Sequence, residues 1–386
     1  PLFNAMLPLL NWTLEKRGKQ LSTIANTQKV AVVGASGVVG RALVEHLIQS
    51  EVPVVGLSRR PPADLAGAAF QSLDLTSPSE CEQVAESTLS DVTNLVYTAL
   101  FEKPGLITGW RAQDQMQTNL AMLRNLLEPL KESRKLRHIT LLQGTKAYGA
   151  HVEPMKIPGI ESDPRHLHEN FYWLQEDYLR DLCVGTDLQF TIWRPQVIFG
   201  HALHAPMNML AAIGVYAALQ KSEGLPLTYP GGPSAVSEAI DADLLARAIT
   251  FSFDNDAFSN QTFNITNGDV FRWQDTWPAL AQIFDMKPGE PARRLLSETL
   301  YGRENDWSRL TSEQGLRPHT IRELVGDSFY YADAMFNAYG NTAPPPAILS
   351  TIKLRKAGFT ECVDTTDMLI RWFHRLVKMK IFPSPR

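Results

Sequence analysis

Residues 29–40 read KVAVVGASGVVG, and this stretch decides the fold. Four apolar residues follow Lys29, as expected of a buried parallel strand. Glycines stand at 34, 37 and 40, and Val38, Leu43, Val44 and Leu47 then recur at helical spacing. A glycine-rich turn between strand and helix offers bare backbone N–H groups at a helix N-terminus, where a pyrophosphate can sit. Gly34 is expected to allow the tight turn, Gly37 to let the backbone approach the phosphates, and Gly40 to let helix and strand pack closely. Ser36 and Val38 lie in the same turn and are counted with the glycines as cofactor contacts.

Outward from this turn, strands and helices alternate. Val52 to Leu57 reads as a second strand ending at Ser58-Arg59-Arg60, and a third ends at Leu73-Asp74-Leu75. Thr93 to Leu100 is a fourth, His138 to Gly144 a fifth and Gln189 to Pro195 a sixth. Amphipathic helices are predicted at Gln113 to Ser133 and Arg165 to Leu182. This alternation indicates a Rossmann-type, doubly wound parallel sheet with helices on both faces. Past Gly200 the chain turns mainly helical, and Thr262 to Thr266 reads as a strand returning to the sheet. The predicted divisions are an N-terminal extension over 1–28, a dinucleotide-binding domain over 29–200 and a smaller helical substrate lobe over 201–386. Within that lobe, about 239–266 is expected to rejoin the sheet. Ligands of open α/β sheets bind outside the carboxyl ends of the strands, so the cleft is expected there. Leu75, Thr98, Gln143 and Val197, at or just past such ends, are further candidate cofactor contacts.

The nucleotide is read from the end of the second strand. An acidic residue there would hold the ribose hydroxyls of NAD and repel a 2′-phosphate. Ser58, Arg59 and Arg60 would instead bind that phosphate through charge-assisted hydrogen bonds, which points to NADP(H). The alternative is a solvated charge pair at a strand end. Asp74 would either accept from the adenine amino group or cap the helix after Ser77-Pro78.

Composition excludes several classes. The 386 residues are 44% hydrophobic and 20% charged with net charge −4, which gives no basis for nucleic-acid or bulk membrane binding. Cys81, Cys183 and Cys362 form no CxxC pair, as expected of reduced thiols in a cytoplasmic protein. No cluster has metal-ligand spacing, so no metal is expected. The apolar stretch from Met6 to Trp12 is too short to span a bilayer and reads as an arm packed on the body or on a second subunit, so a homodimer is one expected arrangement.

Several longer stretches carry a family resemblance. GASGVVG at 34–40, RPQVIFG at 194–200 and AIDADLLARAI at 239–249 resemble the extended short-chain dehydrogenase/reductases. LLQGTKAYG (141–149), NFYWLQEDYL (170–179), IWRPQVIFG (192–200), NGDVFRWQDTWPALAQIF (267–284) and IKLRKAGF (352–359) resemble the progesterone 5β-reductase/iridoid synthase-like family. That resemblance implies NADPH-dependent reduction of the C=C bond of an enone. It also implies an active-site lysine in the GxKxY loop, Lys146, and a tyrosine in the NFY segment, Tyr172. The usual Tyr-x-x-x-Lys pair is absent, because the fourth residue after Tyr172 is Glu176.

In that reading Tyr172 donates to the carbonyl oxygen as negative charge develops, and also touches the cofactor. Lys146 orients it through the nicotinamide ribose or lowers its pKa by charge. The bland alternatives are aromatic core packing for Tyr172 and a surface role for Lys146. Thr145 and Tyr148 would line the site or shape the turn, and Asn119 and Asn125 are expected to be structural. The substrate is expected to be a small enone or another carbonyl compound. Two departures, YTALFEKPG at 97–105 and GAHVEPMKIPG at 149–159, imply a pocket unlike that of the plant members. Competing readings are a carbonyl reductase or sugar-nucleotide epimerase on the same fold, and an NADP(H)-binding regulator without turnover.

Overall fold

A computed structural model describes residues 28–62, 65 and 67–384. The expected N-terminal arm lies outside the described residues. Strand β1 is Val30–Val33 and helix α1 is Val38–Gln49. The chain continues through β2 (Val54–Ser58), β3 (Ala69–Ser72), α2 (Pro78–Ser87), β4 (Asn94–Tyr97), α3 (Gln113–Leu127), β5 (His138–Leu142), α4 (Phe171–Cys183) and β6 (Gln189–Pro195). Next come β7 (Val197–Phe199), α5 (Met209–Ser222), β8 (Leu227–Thr228), β9 (Ala239–Asp241), α6 (Ala242–Ser252) and β10 (Gln261–Ile265). The main sheet has the order β10-β6-β5-β4-β1-β2-β3, with every neighbouring pair parallel. The strand order therefore reverses direction between β1 and β4, where a doubly wound sheet opens its crevice.

Side chains of a strand alternate between the two faces of the sheet. Ala31 and Val33 point into a core with α2, α3 and α4, where Cys81, Leu123 and Leu179 are fully buried. Val30 and Val32 point into a larger core with α1, α5 and α6. That larger core runs on without a break into Trp372, Phe373 and Phe382 near the C-terminus. The last long helix, α7 (Thr365–Lys378), is fixed where its Trp372 Nε1 donates to Asp241 Oδ1 at 2.9 Å.

The glycine turn answers two of its assignments. Gly34 has φ +87°, and a Cβ there would lie 2.8 Å from the Ala99 nitrogen. A Cβ at Gly40 would lie 2.3 Å from the Gly34 oxygen, so only glycine lets α1 lie this close to the turn.

Several predicted boundaries move, each for a local reason. The helix predicted over 113–133 ends at Leu127 and continues as a 3-10 turn over Glu128–Leu130, because Pro129 has no N–H to give. The helix predicted from Arg165 starts at Phe171, where the Asn170 side chain accepts from the Tyr172 N–H at 2.9 Å. The stretch expected to rejoin the sheet over 239–266 does so only through β10. Strand β9 pairs with β7 in a separate two-stranded sheet.

Candidate active site

A cavity of about 1010 Å³ opens along the carboxyl ends of the strands. Its floor includes Gly34, Ser36, Gly37 and Val38, and its walls include Ser58, Arg59, Arg60, Asp74, Leu75, Thr98, Gln143, Tyr172 and Val197. Of the cofactor candidates, only Gly40 does not line it; its place is behind the turn. The first turn of α1 carries no acidic side chain, and its N-cap, Gly37, offers no side-chain cap. The N–H groups there are open to an anion, so the residues fit a dinucleotide pyrophosphate.

The loop after β2 is built by its serines. Ser58 Oγ donates to the Arg60 carbonyl at 2.9 Å, and Ser72 Oγ donates to the Arg59 carbonyl at 3.2 Å. Both guanidinium groups are left exposed at the cavity edge. The Ser58 hydroxyl is thus bonded within the turn while Ser58 itself lines the cavity. Asp74 does not cap the following helix. Ser77 does so, accepting from the Glu80 N–H, while Asp74 accepts from the Thr76 N–H at 2.9 Å and hydroxyl at 2.7 Å. Arg41, directly after Gly40, also lines the cavity and was not singled out by the sequence reading.

Lys146 and Tyr172 enter the same cavity from different elements. Lys146 sits in a 3-10 turn, Thr145–Tyr148, that follows β5. Tyr172 sits in the first turn of α4. The two are tied together because Asn170, the cap of α4, donates to the Lys146 carbonyl at 2.7 Å. The Tyr172 carbonyl accepts from Gln143 Nε2 at 3.0 Å, and its ring stacks at a tilt on Phe171, 4.3 Å between centroids. The hydroxyl lies over Gly144, where a Cβ would come within 3.6 Å of it.

Electrostatics here differ from the sequence reading. Burial pushes the Tyr172 phenol well above its ordinary pKa, and the Glu102 carboxylate and the Tyr331 hydroxyl add to the rise. The expectation that Lys146 lowers it is not met. Lys146 is no surface residue either: its side chain is 15% exposed, with Nζ 3.5 Å from Glu102 Oε1 and 3.8 Å from the centre of the Trp110 ring. Burial pulls its pKa down to about 8, against the opposing pull of Glu102.

Glu176, standing where the usual lysine would be, faces away from this chemistry. It pairs with Arg194 at 3.2 Å and Arg180 at 2.9 Å and accepts from Gln143 Nε2 at 3.0 Å. Burial alone would raise its pKa, but these partners outweigh burial and hold it below the usual glutamate value. Gln143 is spanned by the same network, accepting from Arg194 Nε at 2.8 Å, so its side chain serves the scaffold while its position borders the cavity.

The remaining candidates sort plainly. Thr145 and His204 line the cavity, and His201 does not. Tyr148 donates to Asn264 Oδ1 at 2.6 Å and shapes the turn. Asn125 donates to the Leu75 carbonyl at 2.9 Å, a structural bond. Sequence reasoning missed Glu102, Trp110 and Tyr331, which no periodicity marks, and Glu238. Glu238 borders the cavity, accepts from the Leu349 N–H at 2.8 Å, and is pushed by burial to a pKa of about 7. No helix among the described residues is long and apolar enough to cross a membrane.

Comparison with known proteins adds four findings. The model of the NAD dependent epimerase/dehydratase family matches residues 30–266. An (S)-8-oxocitronellyl enol synthase of Nepeta cataria is 30% identical over 97% of this chain and 98% of its own length. A 3-oxo-Delta(4,5)-steroid 5-beta-reductase of Arabidopsis thaliana is 30% identical over 91% of this chain and 92% of its own. Among solved structures, the UDP-glucose 4-epimerase of Thermotoga maritima superposes with TM-score 0.64 at 17% identity, covering 91% of this chain and 99% of that one. This last likeness shows the fold alone.

Proposed function

This chain belongs to the NAD dependent epimerase/dehydratase family and, within it, to the progesterone 5β-reductase/iridoid synthase-like group; from that premise we propose that it reduces the C=C bond of an α,β-unsaturated carbonyl compound. It is an oxidoreductase, and its cofactor is NADP(H). The observation that carries the reading is the meeting of Lys146 and Tyr172 in one cavity without a Tyr-x-x-x-Lys pair.

Bound NADPH supplies the hydride for the β-carbon. The chain's residues then do the rest. Tyr172, held protonated by burial, donates a hydrogen bond to the carbonyl oxygen as negative charge gathers there. Lys146 supplies a positive charge beside the reacting region and a donor to the ribose. Leu100, Trp110, Tyr331 and Met335 wall the cavity with apolar surface and exclude water around the acceptor. The α-carbon proton comes from solvent. Epimerase chemistry is disfavoured, because the position of its lysine is occupied by Glu176 in an arginine network. The deciding experiment follows NADPH consumption with small enones and with saturated ketones, and identifies products by NMR. A saturated ketone formed from the enone supports the proposal. An allylic alcohol as sole product makes the protein a carbonyl reductase, and NADPH binding without turnover makes it a nucleotide-binding regulator.

The cofactor preference rests on Arg59 and Arg60 at the cavity edge. Arg59→Ala or Arg60→Ala is predicted to raise the KM for NADPH about tenfold or more and to leave that for NADH nearly unchanged, since only NADPH presents the phosphate. Steady-state kinetics with both cofactors checks this. Equal efficiency of the unmutated protein with NADH and NADPH would contradict it.

A further inference from the structure

The loop after β4 carries one partner of a buried ion pair. Glu102 has a side chain only 2% exposed, yet it does not line the cavity. It stands behind Lys146, with Oε1 3.5 Å from Nζ. Oε2 accepts from Gln115 Nε2 at 2.7 Å, and Gln115 Oε1 in turn accepts from the Lys103 N–H at 2.9 Å. One turn further along α3, Asn119 accepts from the Phe101 N–H and donates to the Phe101 carbonyl, both at 2.9 Å. Two side chains of a helix thus grip the backbone on either side of Glu102.

A buried ammonium is costly unless a charge or an aromatic face answers it. Lys146 has both, with Glu102 behind and the Trp110 ring 3.8 Å from Nζ. Resting on the reading of the site given above, we propose that Glu102 is a positioning residue of the reaction, which fixes the Lys146 ammonium in the cavity wall and keeps it charged at neutral pH. Asn119 and Gln115 extend that support into α3. Glu102 stands within electrostatic reach of both the Lys146 ammonium and the Tyr172 phenol.

Other groups near the pair do not replace this role. His151 lies within reach of Lys146, but burial, Lys146, His166, His168 and Arg111 all hold it down at a pKa of about 4, so it stays neutral over the working range. Tyr172 and Tyr331 are within reach of Glu102, and burial keeps both phenols protonated. Glu102 itself is raised by burial, a rise that Lys146 and the Gln115 bond oppose. Among the described residues, Glu102 is therefore the anionic neighbour that Lys146 has to lose.

The test is Glu102→Gln, assayed with NADPH and cyclohexenone across pH. The alkaline limb of kcat is expected to move down by about 1 to 3 pH units, the effect of an opposite charge at this distance. At pH 8 kcat should fall about tenfold or more and recover towards lower pH. Glu102→Asp should restore part of the shift. A limb that stays in place in folded Glu102→Gln overturns the proposal. The Lys146 titration is also read directly by ¹³C NMR of lysine-labelled protein, assigned by its loss in Lys146→Met. If the unmutated protein reduces no enone but this titration moves down in Glu102→Gln, the enone reading fails and the pairing stands. If the enone is reduced and the titration does not move, the pairing fails alone.

Discussion

Tyr172→Phe is expected to lower kcat for a weakly activated enone about a hundredfold, the loss of about 3 kcal/mol that one donor to a developing oxyanion typically represents. The substitution removes a hydroxyl and nothing else. The ring keeps its contact with Phe171, the backbone N–H keeps its bond to Asn170, and the carbonyl keeps Gln143. The fold should therefore be unchanged, and NADPH affinity nearly so. A strongly activated enone should lose less, because its oxyanion needs less help. If the hydroxyl instead protonates an alkoxide, the loss should be severe for every ketone. Introducing Glu176→Lys as well should not rescue activity, since it recreates only a spacing. It would also bury a cation among Arg194, Arg180 and Arg165, which now answer Glu176. Unaltered turnover of a weakly activated enone by Tyr172→Phe would remove the phenol from the mechanism and leave orientation beside the cofactor as the source of rate.

The second large effect is expected at Lys146. Lys146→Met should cut kcat by about a hundredfold, within the range for loss of a positioned proton-holding group. The sequence alone suggests that such a loop lysine can be removed without harm to the fold. Its burial against Glu102 changes that expectation. Methionine leaves a carboxylate buried with no cation, an arrangement that typically costs about 3–5 kcal/mol unless the group takes up a proton. The sign follows from the direction of the Glu102 shift: an acid whose pKa is raised in the folded state is destabilising once pH exceeds its unfolded value. Lys146→Met should thus be at least as stable as the unmutated protein at acidic pH, where it no longer buries an ammonium, and lose ground as pH rises past the ordinary glutamate range. Adding Glu102→Gln should return stability without returning activity. Urea midpoints across pH measure the first, and NADPH turnover the second. Full stability of Lys146→Met at pH 8 would mean that the two side chains are not energetically coupled.

What could be read from the sequence was what obeys short-range rules. The strand, turn and helix at 29–49 follow from apolar period and glycine placement, and Gly34 and Gly40 sit where close backbone approach demands them. The boundaries that moved were set by single side chains, such as the Asn170 cap, which a hydrophobic pattern does not register. The site was half legible. Lys146 and Tyr172 came from motif resemblance, not from spacing. Glu102 lay hidden because its meaning depends on Lys146, 44 positions along the chain, and on a helix that grips its loop. Ser58 shows the same limit: its hydroxyl meets the carbonyl of Arg60, and a residue's hydrogen-bonding commitments are not written in its type.

The unbroken interior from Val30 to Phe382 also bears on how such a protein can change over evolution. The stretch shared with the wider family ends at residue 266, but Trp372, Phe373, Met368 and Leu369 of the last long helix are wholly buried against it. At about 1.5–3 kcal/mol for each such side chain, they rival the 5–15 kcal/mol that keeps a whole domain folded. Recombination that replaced the C-terminal third with that of a distant cousin would therefore put foreign side chains against α5 and β9. New substrate preferences in this lineage are accordingly expected to arise by point changes at residues that rim the cleft, such as Trp110 and Tyr331, and not by exchange of whole segments.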